Sequence, residues 1–240
     1  MAVNAATYLI SAAFLGGIAA REAPPQSVPG ARRPLDGVRT GLAAAWAEPR
    51  VRPLLVIALG SGLFGGVFSA LYIVFALRTL HLSPALLGFT IATGGGGALL
   101  GSLIARSMAR ALGVGPAIIT AALASAASGF LISLAPGAPR PGMAVLVAAQ
   151  ILGDCFGVVS LILAVSARQA LLPQALLGRT GAAFQAAMGG MAVAGALAGG
   201  LLGETLGVRA ALALAAVGLA VAPAFAAFTP LRGLRKISGP

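Results

Sequence analysis

Asp154 stands in the middle of AAQILGDCFGVVSLILA, residues 148–164, a run with no other charge, and Gln150 stands four residues before it. In a helix that spacing puts the two side chains on one face, one turn apart. If the run crosses a membrane, a carboxylate at its centre costs about 3 kcal/mol on insertion scales, so it faces a polar cavity or carries a proton. Either state suits a proton-coupled transporter or a substrate contact, and a structural hydrogen bond to a neighbouring helix competes with both. The other acids, Glu22, Asp36, Glu48 and Glu204, are scattered, and there is one histidine, His81, and one cysteine, Cys155. These do not assemble into a catalytic triad, a carboxylate pair or a metal site. GGGG at 94–97 lacks the Lys-Ser/Thr of a phosphate-binding loop and the strand that precedes one. The expectation is no catalytic residue, no metal and no cofactor, in a protein that is not an enzyme.

The elements that must position Asp154 follow from composition. The chain has 240 residues, 59% hydrophobic and only 9% charged, with a mean hydropathy of +0.99. A hydrocarbon core about 30 Å thick takes roughly 20 apolar residues per helix. Runs of that size lie at 2–20, 53–77, 84–105, 111–135, 142–166, 181–203 and 208–229. They are continuous, without the alternation of a membrane β-barrel. The first lacks the basic start of a secretory signal and reads as a retained span. The predicted fold class is an all-α integral membrane protein.

The net charge of +11 belongs to the ends of these spans and not to a nucleic-acid surface. With the segment after the first span in the cytoplasm, 13 of the 16 Lys and Arg fall inside, leaving Arg78, Arg140 and Arg209 outside. The positive-inside rule then puts the N-terminus out and the C-terminus in.

LSPALLG at 82–88 is echoed by LPQALLG at 172–178, and ALGVGPAI at 111–118 by TLGVRAAL at 205–212. Three crossings separate the copies, so the repeat is inverted: spans two to four and five to seven form two triplets related by an axis in the membrane plane. Each copy is followed by a Gly-rich span. Gly97 with Gly101, and Gly195 with Gly199 and Gly203, recur every four residues, which lets helices approach closely. Those faces serve either static packing or sliding during transport.

Three stretches resemble the major facilitator superfamily, in particular its bacterial exporter branch of enterobactin and macrolide efflux proteins. SARQALLPQALLGRTGAA at 166–183 is similar to that branch's loop between its tenth and eleventh spans, matching at Arg168, Gln169, Pro173, Leu176, Gly178 and Arg179. GSLIARSMAR at 101–110 resembles the second copy of the superfamily's loop motif, keeping Arg106 and Arg110 but with Ala105 in the place of its Asp and Met108 in that of its glycine. NAATYLISAAFLGGIAAREAPP at 4–25 resembles the sixth span running into the central loop.

The resemblance implies a six-helix transporter half, made of two inverted three-helix repeats and preceded by one extra span. Its domains are a lone span at 1–20, a cytoplasmic linker with an interfacial helix around Trp46 at 21–52, the bundle at 53–230 and a tail at 231–240. It implies a cavity lined by spans two, three, five and six, reached by Tyr72, Thr90, Thr93, Gln150, Asp154, Ser160 and Gln185. It makes Arg106, Arg110, Arg168, Gln169 and Arg179 either a cytoplasmic gate or simple positive-inside anchors. The function implied is proton-coupled export of a small lipophilic or siderophore-like molecule across the bacterial inner membrane. The partners are the lipid bilayer, that substrate, and an N-terminal half or a second copy of the chain. The alternative is a structural half-protein or truncated fragment that does not transport alone.

Overall fold

The computed structural model describes residues 2–17 and 34–235. All regular structure among them is helical, because backbone groups in an apolar medium must bond within their own segment. Helix α1, Ala2–Gly16, stands as a unit of its own. At 1.5 Å per residue it spans about 22 Å, short of a hydrocarbon core. Residues 18–20 of the expected span 2–20 lie outside the described residues, as do Arg21, Glu22, Arg32, Arg33 and Lys236.

The second unit holds α2 (Pro34–Ala47), α3 (Arg52–Val74), α4 (Pro84–Leu112), α5 (Val114–Ser133), α6 (Pro139–Leu171), α7 (Leu177–Thr205) and α8 (Val208–Ala226). α3 continues through a π-helical turn, Phe75–Thr79. The last six helices are long and apolar enough to cross a membrane. Three of them, α4, α6 and α7, overrun the apolar runs by several residues. Their additional turns carry Arg110, Arg140, Arg168 and Arg179, which a hydropathy reading trims away although the backbone hydrogen bonds continue.

Sequence punctuation fixes the ends. Ser83 caps α4, its hydroxyl accepting from the Leu86 amide at 3.3 Å, and Pro84 takes the first helical position, where a missing N–H costs nothing. The echoed segment opens the equivalent helix: Pro173 leads through a short 3-10 turn, Gln174–Leu176, into α7. Each triplet turns from its second helix to its third on a glycine of left-handed φ, Gly113 at +91° and Gly207 at +82°. Side chains rarely adopt that conformation.

The packing maps onto itself when the triplets α3–α4–α5 and α6–α7–α8 are exchanged. α3 lies on α7 as α6 lies on α4, α5 on α6 as α8 on α3, and α5 meets α8. The fold is thus two inverted three-helix repeats. Glycines line the α4–α6 and α3–α7 seams. A β-carbon added at Gly97 or Gly101 would strike the carbonyl of Ile151 or Cys155 on α6, and one at Gly195 the carbonyl of Leu63 on α3. Gly199 would meet Val67 Cα at 3.0 Å and Gly203 a Leu71 methyl at 2.8 Å. The sequence reading did not single out Gly62 and Gly66, which give α3 the same close approach to Met188 and Ala192 of α7.

Two apolar cores fill the bundle. One, near the start of α3, gathers Leu54, Ile118, Val159, Leu163 and Leu231. The other, near its end, gathers Phe75, Leu80, Ile132, Leu146 and Leu212. Along α6 the first ends at Val159 and the second at Ala149, and Asp154 falls in the interval. The tail returns under α5, where the carbonyls of Leu234 and Arg235 accept from Gly115 and Val114 at 2.8 and 3.4 Å. α2 rests on α7 through Gly41, whose added β-carbon would meet the Arg179 carbonyl, and through fully buried Ala45.

Candidate substrate and proton site

A cavity of about 550 Å³ opens between the two cores. α3 lines it with Phe68, Ser69 and Tyr72, α5 with Ser125 and Gly129, and α6 with Gln150, Gly153 and Asp154; Ile91 of α4 and Leu219 of α8 close it. Asp154 is the single charged residue in this lining. Gln150 Nε2 donates to Asp154 Oδ2 at 2.7 Å, the bond that the four-residue spacing allows. The pair leans on α4 at Gly94, where a β-carbon would fall on Asp154 Oδ2 and lie 2.9 Å from Gln150 Nε2. Gly94 is therefore part of the site, and its bareness is what admits the carboxylate to the α4–α6 seam.

The Tyr72 hydroxyl is buried and has no partner in hydrogen-bonding geometry among the described residues. Thr90 and Asp154 lie near it. Thr90, fully buried, donates to the Leu87 carbonyl at 2.7 Å, and Thr93 donates to the Thr90 carbonyl at 2.6 Å. Both threonines thus spend their hydrogens on their own helix. Ser160 donates to the Ile118 carbonyl at 3.3 Å, tying α6 to α5. The structure brings Asp154, Gln150 and Tyr72 together around one cavity, with Thr90 beside them, while Thr93 is half-buried on α4 outside its lining. Gln185 stands on the exposed face of α7, a helix that contributes nothing to this cavity; α5 and α8 supply the remaining wall.

Most of the described arginines gather at the end of the bundle where α3, α5 and α7 begin. Arg106, Arg110 and Gln169 are exposed there and Arg179 is half-buried against α2. Arg168 differs. Its guanidinium lies over the Phe184 ring at 4.5 Å, and its Nε is buried with no acceptor among the described residues. An aromatic face offsets part of the desolvation of a cation but accepts no N–H bond in the plane.

At the opposite end, Arg209 makes a contact that a charge count does not reveal. Its Nη1 donates to the carbonyls of Ser133 and Ala135 at 2.8 and 2.7 Å, where α5 ends, and the guanidinium lies over Phe75 at 5.3 Å. Helix C-termini present free carbonyls and a negative dipole end, so a cation is favoured there. Among the described residues no three His, Cys, Asp or Glu side chains converge to hold a metal, and Cys155 is buried.

Six membrane-length helices in two interlocked triplets, with a carboxylate held at mid-depth beside a cavity, define a multi-pass membrane protein of the transporter class. Within that class the chain belongs to the transmembrane secretion effectors, a family of the major facilitator type, whose model matches residues 1–238. No curated protein and no solved structure matches it.

Proposed function

We propose that the chain is the C-terminal half of a secondary-active exporter in a bacterial inner membrane, moving a small lipophilic or siderophore-like molecule outward in exchange for protons. The observation that carries this reading is Asp154, hydrogen-bonded within the chain by Gln150 and open to a largely apolar cavity. At that depth a carboxylate is tolerated where it meets a polar cavity or a proton, and both serve a coupled cycle. Tyr72, with a buried hydroxyl beside Thr90, and Gln150 are the groups that would relay a proton or orient a polar part of the substrate. Thr93 and Gln185 would join from α4 and α7 as those helices move.

Alternating access in this fold rocks one six-helix half against another. Exposed apolar faces on α4, with Leu99 and Leu103, and on α7, with Val193, Leu197 and Leu201, suit such a partner. Arg168, with Arg106, Arg110, Gln169 and Arg179 around it, would hold the cytoplasmic side closed by pairing with acceptors on the partner half. Nine of the twelve described arginines lie on that side, which supports a cytoplasmic C-terminus; the N-terminus is placed outside on the reading of residues 2–20 as a span. The second reading, a membrane partner protein or truncated product that does not transport alone, is favoured by the same exposed faces. Asp154→Asn separates the two: in the exporter it removes the pH dependence of efflux, whereas a partner protein keeps its assembly and shows no flux to lose.

A further inference from the structure

A second cavity, of about 580 Å³, lies at the end of the bundle opposite the arginine-rich one. Its walls are Phe130 and Leu134 of α5, Leu206 in the α7–α8 turn and Ala210 and Ala213 of α8, with Arg209 and Thr79 at its rim. Leu134 and Leu206 are 60% and 55% exposed, so the groove faces the surroundings of the bundle and not its interior. At the end of a membrane span those surroundings are lipid headgroups and the acyl chains next to them.

Arg209 is fixed in this groove. The two carbonyls and Phe75 hold its guanidinium, and Nη1 makes both hydrogen bonds. Nε and Nη2 are left with no partner among the described residues. Arg209 thus offers a pre-oriented donor edge beside an apolar trough. Glu204, the nearest acid in sequence, is exposed and does not line the groove. The first turn of α8 adds to the same field, since Gly207 supplies no side-chain cap and no acid follows it. At the matched end of α5 two tail carbonyls fill that role. A planar donor pair next to an apolar wall matches a phosphodiester joined to a hydrocarbon chain.

The geometry points to a phospholipid-binding site, with the headgroup phosphate on Arg209 and an acyl chain along Phe130, Leu134 and Ala213. Bound there, the lipid joins the ends of α5 and α8, the pair that meets on the internal twofold axis.

The test is native mass spectrometry of the full chain released from detergent and titrated with phosphatidylglycerol. Ala213→Phe fills the trough and leaves the arginine clamp in place; Arg209→Gln removes the donor edge. Each variant is expected to bind the lipid at least tenfold more weakly than wild type. If Arg209→Gln does not fold, Ala213→Phe decides alone. Wild-type affinity in either folded variant overturns the site. Glycerol phosphate binding as well as the lipid would make it a free-anion site, and diacylglycerol binding as well would make it a plain apolar groove; both results overturn the proposal.

Discussion

Gly94→Ala is the smallest change that reaches the Asp154 site. The new methyl would occupy the place of Asp154 Oδ2 and crowd Gln150 Nε2 and Cγ at 2.9 and 3.0 Å. Since these are side-chain atoms, the carboxylate swings away and the 2.7 Å bond from Gln150 is lost. Hydrogen bonds to charged groups contribute about 1.5–3 kcal/mol, while Gly→Ala within a helix returns about 0.5–1 kcal/mol. The net expectation is a destabilisation of about 0.5–2.5 kcal/mol. Gly95 and Gly96 are the internal controls, because a β-carbon at either meets nothing within 4 Å. Gly95→Ala and Gly96→Ala should therefore be neutral or stabilising by up to about 1 kcal/mol. The assay is thermal unfolding in detergent followed by far-ultraviolet circular dichroism, with Gly94→Ala also combined with Asp154→Asn to measure their coupling. A Gly94→Ala protein that melts like Gly95→Ala, with additive effects in the double variant, would refute the placement of the carboxylate on α4.

Gly101→Val should force α4 off α6 at the Cys155 carbonyl, costing about 1–3 kcal/mol as overpacking and raising maleimide labelling of Cys155, the single cysteine of the chain. Arg168→Met should leave the stability of the bundle within about 1 kcal/mol of wild type, because the lost stacking on Phe184 is offset by removal of a buried donor without an acceptor. If Arg168 gates the cytoplasmic side, the same variant should lose at least tenfold in efflux; unchanged efflux would make it an anchor. Ser83→Ala should cost about 1 kcal/mol through loss of the α4 cap, read as a lower melting temperature.

Much of this was legible in the sequence because membrane insertion leaves so few solutions. Continuous apolar runs specify helices, and the echoed LSPALLG and LPQALLG segments with glycines at 113 and 207 specify the repeat, since the same local chemistry opens and closes the matching helices. The spacing of Gln150 and Asp154 likewise placed them on one helix face, while the hydrogen bond between them is a finding of the structure. Helix lengths were underread because arginine-bearing turns look like loop in a hydropathy window. Gly94 escaped notice for another reason: in GGGG nothing local tells the one glycine that faces a carboxylate from the two neighbours that face open space. Arg209 read as a stray external charge because its carbonyl partners lie more than seventy residues away, a proximity that only the α5–α8 packing creates.

The most direct test of the central claim is proton-coupled efflux in everted membrane vesicles from cells making the protein from its natural gene, with a lipophilic fluorescent dye as probe. Flux is compared with and without an imposed pH gradient, for wild type and Asp154→Asn. The account predicts dye movement that rises with the gradient in wild type and no longer responds to it in Asp154→Asn. An Asp154→Asn protein whose flux still follows the gradient as wild type does would contradict the assignment of Asp154 as the proton carrier.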